Sequence, residues 1–564
     1  MSAASVKFRT QAKETIIAAF GAAFEDGSLA KADIPDFNIE VPADSSHGDL
    51  STNAEMMCAR AFKLAPVKIA SIIIDHAKTD GTYIDRIETA GPGFINFYPT
   101  AQYFCDIVSE VVEKGGEYGR SDHGKGKRVM VEFVSANPTG PMHMGNARGG
   151  ALGDCLAAVM DAAGYEVSRE FYINDAGNQI EKFALSLDVR YLQLVKGEDF
   201  IEIPEDAYHG ADIIDRAQEF LSENGAEWAD KPEAERRKAL VDFALPKNIA
   251  RMQSDLLKYR IEYDVWFRES ALHNDGSVKE AIELLSSKGM TYEKDGAIWY
   301  KATDRGAEKD EVLIRANGNP TYFAADIAYH IDKFKRGFDL CINVWGADHH
   351  GHVARMKGAL DAAGYDGEKL EVVLMQLVNL VQDGKPVKMS KRTGKAIQLA
   401  DLLDEVPVDA ARFFFNLRES TTQMDFDLDL AVKQDSENPV YYVQYAHARI
   451  CSIFRKYAEQ GGNFVPADIE QLMLLTAPEE LELIRYLSAY DSEIIAASDS
   501  REPSRITRYV MELAAKYHKF YNACWVIGED EALTRARLTL CHCTKQVIAN
   551  VLDMFRINAP EQMI

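Results

Sequence analysis

The chain has 564 residues, of which 47% are hydrophobic and 27% are charged, and its formal net charge at pH 7 is −25. This length exceeds what one core can organise and predicts two to four domains, while the ordinary composition excludes a largely disordered chain. The negative charge argues against a protein that coats nucleic acid non-specifically, because phosphate binding needs a basic surface.

The cysteines and the first helix indicate the compartment. Eight cysteines are scattered along the chain, which argues against a disulfide framework. The first 20 residues carry Lys and Glu inside their apolar pattern, unlike a secretory leader. No apolar run approaches the roughly 20 residues that cross a bilayer. These features predict a cytoplasmic protein that does not engage a membrane.

Residues 1–118 are predicted to form a small α/β domain. Its helices are expected at 5–24, 51–64 and 66–78, and its strands at 37–41 and 95–97. Ser51 or Thr52 is expected to cap the second helix, because each precedes an apolar pattern of helical period. A polar, glycine-bearing stretch follows this region and marks a domain boundary.

Residues 119–404 alternate between strand and helix patterns. The apolar run at 129–134 is typical of a strand buried on both faces of a parallel sheet. A small-residue helix at about 145–163 and a strand at 166–173 complete a βαβ unit. The region is predicted to be a Rossmann-type parallel-sheet domain with helical insertions at about 180–290. Further strands are expected at 297–302, 312–315, 340–344 and 370–377.

Residues 405–564 are predicted to be an all-α bundle in which no strands remain. Helical periodicity covers 409–457, 478–498, 502–527 and 530–555. The fold class predicted for the whole chain is therefore α/β, with an N-terminal α/β domain, a parallel-sheet domain and a C-terminal helical bundle.

A glycine-rich stretch follows the first strand of the parallel sheet. His143 precedes the predicted helix, and glycines at 145, 149, 150 and 153 leave the helix start almost bare of side chains. Bare backbone at a helix start lets a base or a phosphate approach the amide dipoles. Close packing of helix on sheet selects the same small residues, so both interpretations stay open.

A basic stretch with no acidic residue lies between Lys385 and Lys395. Its centre, Val387-Lys-Met-Ser-Lys391, places two lysines around a serine on a glycine-flanked loop. Such a loop suits a clamp that neutralises a triphosphate as charge develops. A solvated lysine loop is the alternative.

Together the two stretches resemble the HIGH and KMSK signatures of class I aminoacyl-tRNA synthetases. The second signature is complete in Lys388, Met389, Ser390 and Lys391, and the first departs from the family at Asn146, where a histidine usually stands. Asparagine can donate a hydrogen bond to phosphate but carries no charge. The resemblance implies ATP binding, with catalytic roles for His143, Asn146, Lys388 and Lys391. It also implies nucleotide contacts from Gly145, Gly346, Asp348, Met389 and Ser390.

The wider sequence resembles the arginyl-tRNA synthetases over essentially the whole chain. The segments that carry the resemblance are 91–96, 131–140, 174–177, 208–210, 264–267, 321–330, 345–350 and 438–449. The family implies that arginine, ATP and an arginine tRNA are substrates, that Mg²⁺ accompanies ATP, and that tRNA is needed even for activation. It further implies a monomer whose N-terminal domain touches the tRNA elbow and whose C-terminal domain reads the anticodon.

The arginine pocket follows from this resemblance. Tyr322 and Asp326 are spaced i,i+4 and share a helix face. By resemblance, Asp326 pairs with the guanidinium and Tyr322 packs on it or bonds to it. Ser135 and Asn137 would hold the α-amino and carboxylate end, with Glu132 deeper in the pocket. Spacing alone favours a helix-surface acid at Asp326, and the pocket role comes from the resemblance.

Asn438 and Tyr442 would face the anticodon loop by the same resemblance. Tyr441 and Tyr445 lie on the same helix start, and their spacing favours core packing over base stacking.

Two histidine-bearing motifs are poor metal sites. Neighbouring histidines at 349, 350 and 352 diverge, and Cys541 and Cys543 stand two residues apart on a helix without a second pair, which favours buried packing.

Two other functions fit the ATP signatures. The first is a class I synthetase for another amino acid, such as cysteine; the missing zinc cysteines and the Tyr322/Asp326 pair count against it. The second is a catalytically silent tRNA-binding paralogue, which the intact Lys388–Lys391 stretch opposes.

Overall fold

The computed structural model describes residues 2–42, 44–387 and 397–563. Its N-terminal part is an antiparallel sheet in the order β1-β2-β4-β3 with helices packed against it. The elements are α1 (Ala3–Glu25), β1 (Ile39–Glu40), β2 (Leu50–Thr52), α2 (Ala54–Phe62), α3 (Pro66–His76), β3 (Ile84–Ala90), β4 (Phe94–Pro99) and α4 (Ala101–Lys114).

Two predictions for this part were wrong in detail. Ser51 and Thr52 lie in strand β2, so neither is the N-cap of α2; that position is Asn53. Thr52 nevertheless supports the helix start, because its Oγ1 accepts a hydrogen bond of 3.3 Å from the Ala54 N–H. Strand β3 was not predicted, since its charged residues Asp85, Arg86 and Glu88 interrupt any apolar alternation and most of the strand is exposed.

The middle of the chain contains most of the strands. In chain order its elements are β5 (Arg128–Glu132), α5 (Met144–Ala162), β6 (Glu166–Ile173), α6 (Asn178–Lys196), α7 (Ala211–Asn224), α8 (Glu233–Lys258), β7 (Val265–Arg268), α9 (Glu269–Asn274), α10 (Ser277–Ser287), β8 (Thr291–Lys294), β9 (Ala297–Tyr300), β10 (Glu311–Ile314), α11 (Tyr322–Lys335), β11 (Leu340–Gly346), α12 (His350–Ala363), β12 (Leu370–Met375), β13 (Val378–Gln382), β14 (Lys385–Val387), α13 (Leu399–Glu405), α14 (Val408–Phe415), β15 (Met424–Asp427) and α15 (Leu428–Val432).

Five of these strands form a fully parallel sheet in the order β12-β11-β5-β6-β7. From β5 the chain runs outward through β6 and β7 on one side and later through β11 and β12 on the other. The direction therefore reverses between β5 and β11, and ligands of open parallel sheets bind at the carboxyl ends of strands at such a point. The predicted parallel-sheet domain is confirmed.

The segment at 180–290 is not all insertion, as the sequence had suggested. Strand β7 lies inside it and forms an edge of the parallel sheet, pairing with β6. Helices α6, α7 and α8 do form a separate unit with its own apolar core, which includes Phe183, Tyr191 and Phe220. The predicted strands at 297–302 and 312–315 exist, but they belong to a small antiparallel sheet with β8.

The prediction that strands stop after residue 405 was also wrong. Strand β15 pairs in parallel with β13, which pairs with β14 in a hairpin just before the basic stretch. Two of its four residues are aspartates, which alternate with Met424 and Phe426. The helical patterns on either side concealed this short strand.

Helices make up the remainder of the chain. They are α16 (Pro439–Glu459), α17 (Ile469–Leu472), α18 (Pro478–Ser488), α19 (Tyr490–Ser500), α20 (Ser504–Ala523) and α21 (Glu531–Met554). Prolines begin α16 and α18, where the missing N–H costs nothing. No helix among residues 2–42, 44–387 and 397–563 is long and apolar enough to cross a membrane.

A buried ion pair fastens the helical part to the parallel sheet domain. Arg412 on α14 is fully buried and its Nη2 donates to Asp154 Oδ2 on α5 at 2.5 Å. The same guanidinium donates to the carbonyl oxygens of Tyr259 and Phe555. Removing either side chain of this pair would leave a buried charge uncompensated and would strongly destabilise the contact between the two parts.

Candidate functional site

The loop that leaves β5 is strained. Val134 and Ser135 have φ angles of 69° and 43°, in the left-handed region that β-branched residues rarely adopt. The Ser135 hydroxyl donates to Glu132 Oε1 at 2.9 Å and accepts from the Tyr172 N–H at 3.2 Å. Strain of this kind concentrates at functional sites and persists only where neighbours enforce it.

His143 caps helix α5 at its N-terminus. Its Nδ1 accepts a hydrogen bond of 3.0 Å from the Gly145 N–H, and its own N–H donates to Asn146 Oδ1 at 2.9 Å. Because Nδ1 is the acceptor, the proton of the neutral ring lies on Nε2. Desolvation lowers the pKa of His143, which favours that neutral form. Asn146 thus completes a capping box through its Oδ1, and the capping box does not use its amide NH₂.

The glycines of α5 serve two purposes. A Cβ at Gly153 would lie 2.2 Å from the Phe133 ring, and one at Gly150 would lie 2.8 Å from Ile261. These two glycines are therefore needed for packing against the sheet. A Cβ at Gly145 would lie 2.9 Å from the His143 ring, so the glycine leaves room for this ring at the start of the helix.

Residues 388–396 of the chain lie outside the described residues; they include most of the basic stretch, with Lys388, Met389, Ser390 and Lys391. Its flanks are described. On one side Val387 pairs with Leu380 in the β13–β14 hairpin. On the other side the Leu399 N–H donates to the Met142 carbonyl at 2.9 Å, and Gln398 forms a main-chain bridge with His143. The chain following the basic stretch is therefore attached to the start of α5.

Gly346 and Asp348 lie at the same edge of the sheet. Asn343 of β11 is in register with Glu132 of β5, so Gly346 ends its strand beside the loop that carries Ser135. Asp348 follows in the turn before α12, with its side chain exposed. The edge therefore gathers exposed polar groups from β5, β11 and the start of α5.

Tyr322 and Asp326 share the first turns of α11, as predicted. The Tyr322 hydroxyl oxygen accepts from the Gln179 N–H at 3.1 Å. Nε2 of His352 lies 3.2 Å from Asp326 Oδ2, and the His352 ring packs against Trp345 and Phe323. The Asp326 side chain is one-third exposed, so its carboxylate is held by the protein and still open to a ligand.

Glu132 does not offer a free carboxylate. It is buried, and Lys333 Nζ, with no exposed side-chain area, donates to its Oε2 at 2.6 Å. Lys333 also donates to Asn343 Oδ1, whose amide contacts His330. Burial lowers the pKa of His330 well below its ordinary value, so this ring is neutral. The expectation that Glu132 lies deeper in the arginine pocket stays a prediction; in the structure its charge is paired with Lys333, and its other oxygen accepts the Ser135 hydroxyl.

Sequence reasoning missed three residues of this region: Gln179, Lys333 and His352. Lys333 stands seven residues after Asp326 and therefore on the same face of α11, which is a signal the sequence offered. His352 belongs to the histidine motif that had been considered only for metal. Among the described residues no group of three or more His, Cys, Asp or Glu side chains could hold a metal ion. Asn137 is exposed on the loop after β5.

The start of α16 differs from its prediction. Asn438 is buried; its Oδ1 accepts from the Val440 N–H and its Nδ2 donates to the Lys433 and Ala431 carbonyls. Its amide is thus occupied in capping, and a direct contact with RNA is not supported by this geometry. Tyr441 and Tyr445 are not core residues, because both rings reach solvent and stack in parallel at 6.4 Å. Tyr442 is half-buried against His518.

An open cleft of about 800 Å³ adjoins these tyrosines. Trp525 is 83% exposed at its wall, and the Arg449 guanidinium lies 4.3 Å from the centre of the Tyr521 ring. Arg455 and Lys456 add positive charge to the cleft. Aromatic faces beside basic side chains suit the stacking of unpaired bases and contact with phosphate. Cys541 and Cys543 are buried in α21, as their helix-packing interpretation predicted.

Comparison with known proteins agrees with this geometry. Three family models match in sequence: the arginyl tRNA synthetase N terminal domain over residues 10–98, the class I (R) tRNA synthetase catalytic domain over 107–439, and the DALR anticodon binding domain over 443–563. The curated arginine–tRNA ligases of Ruminiclostridium cellulolyticum and Caldanaerobacter subterraneus are each 55% identical over 558 residues, covering 99% of both chains.

Solved structures are similar as well. A Campylobacter jejuni chain described as an arginyl-tRNA synthetase is 33% identical with a TM-score of 0.74, covering 82% of this chain and all of that one. The Thermus thermophilus arginyl-tRNA synthetase shares the fold at 22% identity, with a TM-score of 0.72 over 98% of this chain and 100% of that chain. From its catalytic-domain match and its full-length relatives, this chain belongs to the arginyl-tRNA synthetase family of class I aminoacyl-tRNA synthetases.

Proposed function

We propose that this chain is an arginine–tRNA ligase. Arginine and ATP give arginyl-adenylate and pyrophosphate, and the 2′-hydroxyl of the terminal adenosine of tRNA then takes the arginyl group. The observation that carries the proposal is the position of Asp326, a held and partly exposed carboxylate on α11. It stands near the edge of the sheet where the capped start of α5 and the end of β11 offer a nucleotide site.

In the activation step an oxygen of the arginine carboxylate attacks the α-phosphorus of ATP, and pyrophosphate leaves. We assign His143 Nε2–H and the Asn146 amide to donate to the phosphate oxygens, since the capping bonds leave both donors free. Lys388 and Lys391 neutralise the pyrophosphate as its charge develops, which accelerates the reaction because the contact strengthens in the transition state. Gly145, Gly346, Asp348, Met389 and Ser390 contact the nucleotide.

Arginine recognition depends on charge. A guanidinium has five donors and no acceptor, so its pocket needs oxygen atoms that only accept. Asp326 supplies the carboxylate, and Tyr322 supplies a ring face and a second lone pair on its hydroxyl oxygen. Ser135 and Asn137 hold the α-amino and carboxylate end. Glu132 positions Ser135 through the 2.9 Å hydrogen bond between them.

The tRNA is assigned to both flanking domains. The cleft beside Tyr445 and Trp525 stacks anticodon bases, with Tyr442 at its border and Asn438 fixing the helix start. The N-terminal domain receives the tRNA elbow. Mg²⁺ enters with ATP and takes its ligands mainly from the phosphates and water, as this ion commonly does. We further propose that the enzyme acts as a monomer in the cytoplasm and needs tRNA for activation.

Pyrophosphate exchange tests the proposal. Exchange of labelled pyrophosphate into ATP is measured with each of the 20 standard amino acids, with and without tRNA. We expect exchange with arginine, in the presence of tRNA. Exchange with a different amino acid would move the chain to another specificity. The absence of exchange with every amino acid, even with tRNA present, would show that the chain does not activate amino acids.

A further inference from the structure

We propose that Asn248 of helix α8 is a positioning residue for the loop 135–141, which leads from the arginine site to the helix that binds ATP. The inference rests on the proposed function and extends it to the helical insertion. Asn248 touches neither proposed substrate site directly, and it acts through the Pro138 carbonyl.

The loop needs an external restraint. The chain enters this loop through Val134 and Ser135, which both have positive φ angles. An unrestrained segment would relax to φ angles in the ordinary negative range. Two restraints come from the sheet domain, where Tyr263 Oη donates to the Phe133 carbonyl and the Tyr172 N–H donates to Ser135 Oγ. Both act at the beginning of the loop. Further along, the Pro138 carbonyl accepts from Asn248 Nδ2 at 3.0 Å.

Both ends of the Asn248 amide are used. While Nδ2 donates to Pro138, Oδ1 accepts from Arg216 Nε at 2.8 Å. Arg216 is held in turn by Glu219, to whose Oε2 its Nη1 donates at 2.7 Å. The Asn248 side chain is buried, so its hydrogen bond to the Pro138 carbonyl has little competition from water, whereas Arg216 and Glu219 beyond it are partly exposed. A side chain that both donates and accepts is required here, and aspartate in its ionised form only accepts.

The same face of α8 also contacts the chain that follows the basic stretch. Arg251, three residues after Asn248, has Nη2 3.3 Å from Oε1 of Gln398. Gln398 forms the main-chain bridge with His143. Helix α8 thus contacts both the loop before α5 and the chain after the basic stretch. These two segments must keep their relative position for ATP and arginine to react. Leu240 and Ala244 fix the helix in the insertion core, and Met252 and Leu256 fix it in the main core.

The decisive variant is Asn248→Asp. It keeps the size of the side chain and the contact with Arg216, which gains charge, but turns an acceptor toward the Pro138 carbonyl. We expect the KM values for arginine and ATP in tRNA-dependent exchange to rise about tenfold or more, with the thermal midpoint and the Kd for tRNA close to those of the parent. Asn248→Ala should show the same kinetic change with a lower thermal midpoint. A purely structural role would lower the midpoint and leave both KM values unchanged.

Matched variants complete the experiment. Asn224→Ala removes an amide that donates to the Phe220 carbonyl elsewhere in the insertion, and it should leave both KM values unchanged. Arg216→Gln removes the anchor of Asn248 and should raise them moderately, which tests the idea even where an Asn248 variant does not fold. KM values within twofold of the parent in the folded Asn248 and Arg216 variants would overturn the proposal. A parent that activates a different amino acid would refute the proposed function instead, and the variants would be compared with that amino acid.

Discussion

His143 and Gln398 form an antiparallel main-chain bridge, although one precedes the first helix of the sheet domain and the other follows the basic signature stretch. The adjacent hydrogen bond from Leu399 to Met142 strengthens the connection. The first signature and the chain that follows the second one are therefore joined through backbone atoms, which a side-chain substitution does not remove. Side chains at the start of α5 can be substituted, so that their effect on helix capping is measured apart from their effect on catalysis.

Asn146→Asp separates these two contributions. Aspartate retains the acceptor for the His143 N–H and suits a helix N-terminus, so the thermal midpoint should not fall. Its negative charge would face the proposed phosphates, and we expect KM for ATP to rise roughly tenfold or more. Asn146→Ala loses the reciprocal hydrogen bond of the capping box, at a cost of about 1 kcal/mol, with a smaller rise in KM. Unchanged ATP kinetics in the aspartate variant would place the triphosphate elsewhere.

Asp326→Asn tests the guanidinium site. The substitution keeps the size of the side chain and removes its charge, and charge-assisted hydrogen bonds contribute about 1.5–3 kcal/mol. KM for arginine should therefore rise roughly tenfold to a hundredfold, while KM for ATP stays the same. Asp332→Asn is the control on the same helix, where the carboxylate pairs with Arg336. Equal effects of the two variants would mean that Asp326 only stabilises α11.

Lys391→Ala tests the basic clamp. If this lysine neutralises the leaving pyrophosphate, its loss should lower kcat for exchange by about a hundredfold or more, with little change in the Kd for tRNA. Lys388→Ala should act in the same direction. The matched control is Lys385→Ala, since Lys385 is exposed at the start of β14 and has no proposed contact with ATP. A uniform small loss in all three variants would favour a general role of positive charge.

The sequence predicted those parts of the fold that local patterns determine. A nearly continuous apolar run identified β5, the βαβ pattern that follows it identified α5 and β6, and the strand patterns further along identified β11 and β12. The strands β7 and β15 were missed because each has only four residues and pairs with a strand distant in the chain. Four residues are too few for a periodic pattern to distinguish a strand from the helices around it.

The site was predicted as a set of residues but not as a set of contacts. Glu132 was placed in the arginine pocket, and its pairing with Lys333 was not predicted because nothing local shows that a residue so far along the chain neutralises it. The tyrosines at 441 and 445 were assigned to the core because helical spacing cannot tell whether another element covers that face. Asn438 was assigned to RNA, although its position just before Pro439 is typical of a cap.

Trp525→Ala tests the anticodon cleft. An exposed indole stacks on a base with about 1–3 kcal/mol, so its removal should weaken tRNA binding roughly tenfold. Activity at saturating tRNA should change much less. Phe200→Ala removes an exposed aromatic ring from the insertion and serves as the control. Should both variants bind tRNA like the parent, the cleft would not be an RNA surface.

Glu55 makes the stability of the N-terminal domain depend on pH. The side chain is fully buried, and neither carboxylate oxygen has a hydrogen-bond partner among the described residues. Desolvation raises the pKa of Glu55 to about 7. Between its ordinary pKa of 4.5 and this value, the folded protein retains a proton that the unfolded chain releases. Stability therefore falls as pH rises through this window, and the full penalty is present above pH 7.

Glu55→Gln should remove this dependence, since glutamine resembles the protonated acid. The variant should be more stable than the parent by on the order of 3 kcal/mol at pH 8 and by little at pH 4.5. Thermal midpoints measured across this range give the comparison. Glu14→Gln, at an exposed position of α1, controls for the loss of one negative charge and should give the same small difference at both pH values. A pH-independent effect of Glu55→Gln would mean that the carboxylate reaches water and is ionised in the folded protein.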